Sequence, residues 1–381
     1  MKQIAYEQLK PGMTTAEDIY AMNGQQLLVP KGTKLTPLKL QLMGVFSIRT
    51  VYIEDDIPEG AGASESVDKK SVVNDLRGSG IPGFTSNLPE PVREARIQEI
   101  KEYKKTYGEG LNYFQVAVNN LVAKNTDLNV DTILNQTLSL LHPRRQNISV
   151  LEMLLYMKEY DNSVYSHCIN TSLLCKMLAQ WLEYSEEDCR MAAACGLFHD
   201  MGQLAIPDEI IQKPGPLTPE ERKIVNTHPE KGYQMLEEYG VDETVRLAAL
   251  MHHEKCDGSG YPRGLKDEEI DRFAKLVTIC DIYDAMTSDR PYRKALTPFA
   301  VIEHFENDGL SKFDTRAILL FQENTANTYL NCPVRLSNGS VGYVVFINRG
   351  RLGRPIVQCG NEFFDLSKRD DLTISEMLAV V

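Results

Sequence analysis

Five of the seven histidines, His167, His199, His228, His252 and His253, crowd into one stretch of the 381-residue sequence, and two aspartates, Asp200 and Asp281, accompany them. Imidazole and carboxylate together form the donor set for divalent transition metals, and a pair of such ions can activate water against a phosphodiester. The spacing indicates where these groups point. Met191, Ala194, Cys195 and Phe198 recur at helical intervals ahead of His199 and Asp200, so that pair leaves the C-terminal end of a buried helix. Val245, Ala248, Ala249 and His252 repeat in the same way, which puts an ionisable ring on an apolar stripe where it needs a partner. Ala274, Val277 and Asp281 share one face and send a carboxylate into the same interior. Any one of these residues alone reads as a satisfied core histidine or a capping aspartate. Seven of them, drawn from five helical segments, read as the ligands of a pair of divalent ions. None of the eight cysteines lies in a Cys-x-x-Cys pair, so a closed structural zinc site is not expected.

Helices must position these groups, and from about Val92 to Thr328 nearly every segment has helical periodicity. Thr218-Pro219-Glu220-Glu221 predicts a helix start, with a hydroxyl cap, proline at the first position and glutamate closing a capping box. The helices around Lys101 to Tyr113 could pair with a second copy of the chain or pack on their own domain. Residues 1–57 read as a small α/β module, with turns at Leu9 to Met13, Asn23-Gly24 and Leu27 to Gly32. A short helix capped by Thr36 follows, then an edge strand over Arg49 to Ile53. Residues 58–91 turn to Gly, Ser, Pro and charge, as in a linker. Residues 329–381 alternate strands and turns, including Asn338-Gly339. The expected fold class is therefore mainly α: a helical domain over 92–328, with its core at about 149–320, flanked by the N-terminal α/β module and a small β-barrel-like C-terminal module.

Composition bounds the function. Apolar residues make up 43% of the chain and charged residues 25%, as in an ordinary folded protein. The formal net charge of −12 argues against sequence-independent binding to duplex nucleic acid. Met1 to Tyr20 contain no apolar run of signal-peptide or membrane-helix length. Cys168, Cys175, Cys195 and Cys280 sit in apolar helical stretches and read as buried thiols. A soluble, cytoplasmic protein without a membrane span is expected.

Longer motifs then carry a resemblance. Gly196 to Pro207 contains His199-Asp200-Met201-Gly202, and it is followed by Lys213 to Thr218 and by His228-Pro229. Next come His252-His253-Glu254 leading to Asp257-Gly258-Ser259-Gly260-Tyr261-Pro262, and then Asp281 to Arg293. From about Ser149 to Leu320 the chain resembles the HD-GYP phosphodiesterases, whose fold is an HD-type helical bundle. The resemblance implies hydrolysis of cyclic di-GMP to linear pGpG, GMP or both, by a water activated between two metals. It implies that His167, His199, Asp200 and Asp281 hold one ion, and that Asp200, His228, His252 and His253 hold the other, with Asp200 bridging. Iron or manganese is the usual metal, with zinc an alternative. Arg290 and Arg293 match phosphate-contacting positions, although a loop after the Asp281 helix also carries plain surface charges. Gly260 and Tyr261 match a loop that contacts substrate, or a protein partner such as a diguanylate cyclase domain, or that serves as a structural turn. Two departures stand out. Gln203 occupies the catalytic position where the family commonly has lysine, which replaces a point charge by a neutral donor. Ser163 stands where some relatives carry a glutamate that recruits a third metal, so two are expected. A catalytically weak dinucleotide receptor and an HD hydrolase acting on another nucleotide are the competing functions.

Overall fold

The computed structural model describes residues 1–20, 27–35, 39–40, 43, 48, 50–54, 90–123, 129–141, 149–158, 163–211, 213, 215–289 and 293–378. The chain divides into two compact units, Met1–Pro82 with Gln358–Phe364, and Gly83–Val357 with Asp365–Val381. In the first, β1 (Lys2–Ala5), β2 (Ile19–Tyr20), β3 (Leu27–Val29) and β4 (Thr50–Ile53) form two antiparallel pairs, β1 with β4 and β2 with β3. In β4, exposed and buried residues alternate, so Val51 and Ile53 reach a core with Ile4, Ile19, Val29 and Met43. The Asn23-Gly24 turn, the Thr36 cap and residues 58–89 lie outside the described residues, and Glu90 and Pro91 open the first helix of the other unit.

That second unit is built on α1 (Glu90–Val122), α2 (Val130–Leu138), α3 (Val150–Lys158), α4 (Val164–Trp181), α5 (Glu186–Phe198) and α6 (Asp208–Ile211). There follow α7 (Pro219–Val225), α8 (His228–Glu238), α9 (Glu243–Met251), α10 (Arg272–Thr287), α11 (Pro298–Asp308) and α12 (Thr315–Thr328). The helix starts are written locally. Ser163 and Ser185 accept hydrogen bonds from Ser166 N and Asp188 N, and Asp271 accepts from Phe273 N and Ala274 N. The Thr218–Glu221 capping box is complete in both directions. Three acids in the first turn of α5 complement the helix dipole.

Burial ranks the helices. In α4 every residue from Ser166 to Cys175 is buried, as is nearly all of α10 from Phe273 to Asp284, the signature of helices surrounded by protein. The pair α4 and α5 packs with α10, and α9 packs on α5, α8 and α10. Long α1 buries Tyr103, Tyr107, Phe114, Val118 and Leu121 along one stripe and packs against α2, α3 and α4. No helix among the described residues is long and apolar enough to cross a membrane. All eight cysteines are free, and Cys168, Cys175, Cys195 and Cys280 are buried.

A sheet of five strands follows: β5 (Pro333–Leu336), β6 (Val341–Phe346), β7 (Ile356–Cys359), β8 (Glu362–Asp365) and β9 (Ile374–Met377), in the order β8-β7-β6-β5-β9. Strand β5, next to the edge, pairs antiparallel with β6 and β9. The Asn338-Gly339 turn joins β5 to β6, with Gly339 at φ 86° and the Asn338 side chain accepting from Ser340 N at 3.0 Å. The barrel-like form expected of this module is corrected: closure requires the two edge strands to pair, and here β8 and β9 remain separate edges of an open sheet.

Candidate metal site

Three of the candidate ligands are aimed by carbonyls at the ends of helices. The last carbonyls of a helix lack intrahelical donors, and a carbonyl can only accept. His199, which caps α5, meets Gly196 O through Nδ1 at 2.8 Å. His252, which caps α9, meets Ala249 O at 2.8 Å. His228 opens α8 and meets Val225 O, the last residue of α7, at 2.7 Å. In each, Nδ1 therefore donates and Nε2 is turned inward, where its lone pair is free once the ring is neutral.

Those Nε2 atoms converge on Asp200. The distances are 3.5 Å from His199 to Oδ2, and 3.3 Å from His228 and 3.6 Å from His252 to Oδ1. His167 reaches Asp200 Oδ2 at 3.6 Å and Asp281 Oδ1 at 3.1 Å. His253 Nδ1 lies 3.8 Å from Asp281 Oδ2. The ligand atoms fall into three overlapping groups, each within 4.8 Å: His167, His199 and Asp281; His228, His252 and His253; and, joining them, His199, Asp200 and His252. The structure thus brings all seven candidates together. Gln203 Nε2 donates to Asp200 Oδ2 at 2.5 Å, so this side chain steadies the central carboxylate. Ser163 caps α4.

His167 lies in the first turn of α4, and it is oriented from elsewhere: Asp284 Oδ2 meets its Nδ1 at 2.7 Å, and Asn170 Nδ2 donates to the other Asp284 oxygen at 3.1 Å. Asp284 lies inside the Asp281 to Arg293 stretch, where the sequence pattern gives it no task of its own. The available signal was its place three residues after Asp281, on the same helical face.

The electrostatics suit cations. Burial alone would raise the Asp200 carboxyl, but His199, His252 and His228 bring it well below its usual range. Asp281 is lowered likewise, by His167, His253 and His199 acting against burial. Burial pushes His199 down to about 4 and lowers His228. His253 falls well below its usual value through desolvation and then its neighbour His252. His167 is the opposite case: burial lowers it, yet hydrogen bonds to Asp281 and Asp284 hold it up to about 10. His252 is also raised, since Asp200 outweighs burial. Asp200, Asp281, His199, His228 and His253 are thus pushed toward the ionised-carboxylate and neutral-imidazole states that ligate metal, whereas His167 has to release a proton to do so. The fit is sharpest in two atoms: among the described residues, Asp200 Oδ1 and His199 Nε2 are buried with no hydrogen-bond partner, an arrangement that costs about 1–3 kcal/mol per group, and more for a charge, unless something compensates. A divalent ion is what imidazole and carboxylate so disposed would take. Residues His167 to Asp281 can therefore hold metal.

Two glycines allow the close approaches that build the site. A Cβ on Gly202 would sit 1.9 Å from His228 O, so glycine lets the turn after Asp200 press against the start of α8. A Cβ on Gly260 would lie 2.4 Å from Glu254 Cα and 2.5 Å from His253 O. Gly260 thereby fits the Tyr261 loop to the backbone of the histidine pair. Tyr261 stacks on His253, centroids 4.6 Å apart at 23°. Buried Glu254, also without an assigned task from sequence, accepts from Arg263 N at 2.7 Å and Leu265 N at 3.0 Å and anchors that loop. Arg293 donates to Met286 O at 3.0 Å and Ala285 O at 2.8 Å, capping the end of α10. Arg290 lies outside the described residues.

Residues 130–317 match the HD domain family. The motifs that resemble the HD-GYP phosphodiesterases, from His199-Asp200 to Asp281, fall inside that matched segment. A cyclic di-GMP phosphodiesterase of Pseudomonas aeruginosa is 36% identical over 198 residues, covering 52% of this chain and 48% of that protein. A cyclic di-GMP phosphodiesterase response regulator of Xanthomonas campestris pv. campestris is 39% identical over 144 residues, 37% of this chain and 38% of its own. A 3′3′-cGAMP-specific phosphodiesterase of Vibrio cholerae is 35% identical over 130 residues, 34% of this chain and 28% of its own. The chain thus spans about half or less of the length of these curated relatives. The site described above lies within the HD domain and the loop that follows Glu254.

Proposed function

We propose that this HD domain hydrolyses cyclic di-GMP to linear pGpG, and onward to GMP, with two divalent metal ions. His167, His199, Asp200 and Asp281 would hold one, and Asp200, His228, His252 and His253 the other. The observation that carries the reading is the pair of orphaned atoms, Asp200 Oδ1 and His199 Nε2, buried between two ligand clusters. Divalent ions bound there supply the positive charge that acidifies water and neutralises phosphodiester oxygens. Iron, manganese or zinc suits this imidazole-rich set better than magnesium or calcium.

The chain's own groups do the rest. Asp200 faces both clusters, and Gln203 holds it in place by its amide donor. Tyr261, supported on His253, offers a flat face for a guanine. Arg293 engages the end of α10, which leaves Arg290 as the arginine for a phosphate. The named activities of the P. aeruginosa and X. campestris relatives support cyclic di-GMP as substrate, and the V. cholerae relative makes 3′3′-cGAMP the comparison to run. Protein purified without oxygen and loaded with iron or manganese is incubated with each dinucleotide, and products are separated by chromatography. Cyclic di-GMP is expected to yield pGpG and then GMP, faster than 3′3′-cGAMP is opened. Metal-loaded protein that leaves cyclic di-GMP intact would sink the proposal.

A further inference from the structure

Unlike His199, His228 and His252, which helix-end carbonyls aim, His167 is aimed by side chains, and those bonds run outward through three helices. Its Nδ1 meets Asp284 Oδ2 on α10 at 2.7 Å. Asp284 Oδ1 accepts from Asn170 Nδ2, one turn along α4, at 3.1 Å. Asn170 Oδ1 in turn accepts from the Tyr107 hydroxyl on α1 at 2.8 Å. All four side chains are buried, Tyr107 at 0% exposure. The direction of every bond is forced. An ionised carboxylate only accepts, so both His167 Nδ1 and the Asn170 amide must donate to it. The amide is then oriented with its oxygen outward, where only a donor fits, and the tyrosine hydroxyl supplies one.

We infer that Tyr107 and Asn170 are positioning residues for metal binding: through Asp284 they hold His167 with Nδ1 protonated and Nε2 turned toward Asp200 and Asp281. The inference rests on the metal reading proposed above. It adds that a helix beginning forty residues before the matched HD segment sets the occupancy of one half of the site. Removing such an outer partner lowers metal affinity by about 10–100-fold in comparable sites. The other cluster stays as it was, because His228 and His252 take their orientation from Val225 O and Ala249 O.

Zinc, which is diamagnetic, serves as the probe, with full-length protein, calorimetric titration and long-range proton–nitrogen spectra of labelled histidine. Tyr107→Phe is expected to weaken one of two zinc-binding events about tenfold, with the other unchanged. Tyr239→Phe, which removes a hydroxyl bonded to Leu121 O of the same helix α1, should leave both events at wild-type strength. In zinc-loaded wild-type protein the His167 signals should show a protonated Nδ1 and a ligated Nε2, a readout independent of any variant's folding. The inference is overturned if Tyr107→Phe binds both zinc ions as wild type does, if Tyr239→Phe produces the same loss, or if His167 ligates through Nδ1. Wild-type protein that takes up no zinc, iron or manganese overturns the metal reading itself, and the relay falls with it. Full metal uptake by both wild type and Tyr107→Phe removes the relay alone.

Discussion

Two halves of one site are built by different means. His228 and His252 are aimed by carbonyls three residues back, at 2.7 and 2.8 Å, so a helix end within a few residues along the chain orients each ring. His167 is aimed by a carboxylate 117 residues away, and its geometry exists only while α4 and α10 are packed. His199 stands between the two: it belongs with His167 and Asp281 in one ligand group and with Asp200 and His252 in another, yet it is held locally by Gly196 O. Local support has no side chain that mutation can delete, whereas remote support passes through several. The half containing His167 is therefore the one open to tuning by substitution, and the half containing His228 and His252 is the one that should persist.

The strongest way to break this contrast is to remove what the halves share. Asp200→Asn should abolish binding at both and reduce turnover by at least about a hundredfold, beyond the usual loss for an outer partner. Survival of one tight ion in that variant, seen by elemental analysis, would show that the halves are independent. Asp284→Asn should sharpen the contrast, weakening the His167 ion by about 10–100-fold while the other ion titrates as in wild type. Equal loss at both would erase the distinction. Chelation acts on the whole site. Metal at a hundred times its dissociation constant contributes about 2.7 kcal/mol, and a domain of this size shifts roughly 2–4 °C per kcal/mol. With two ions each bound at that level, loaded protein should therefore melt roughly 10–20 °C above chelated protein by calorimetry, and identical melting would mean that the cluster needs no cation. The smallest effect belongs to Gln203→Ala, which deletes one hydrogen bond to a charged carboxylate, worth about 1.5–3 kcal/mol. It should weaken metal binding by roughly tenfold and lower the melting temperature of the metal-free protein by several degrees, the first read by calorimetric titration and the second by calorimetric melting.

Much of this was legible from local pattern. The spacing of Met191, Ala194, Cys195 and Phe198 is enough to place His199 at the end of a buried helix, because a 3.6-residue period is a property of the chain itself. Thr218 to Glu221 announce their capping box for the same reason, since donor, acceptor and proline lie within four residues. The Asn338-Gly339 turn is likewise written in the residues that make it. Strand closure was not legible: five short strands with good turns are compatible with a barrel or an open sheet, and the choice depends on whether distant edges meet.

The sequence by itself therefore determined the clustering of imidazole and carboxylate donors, the helix end that carries His199, the apolar stripe that carries His252, and the acidic overall charge. Only tertiary packing decided that Asp284 supports His167, that Glu254 anchors the Tyr261 loop, that Arg293 caps α10, and that Tyr107 stands at the outer end of the relay. Helix periodicity and capping act within a few residues along the chain. A hydrogen bond between α1 and α4 has no local period to betray it, because it exists only after the apolar stripes of both helices have been buried against each other.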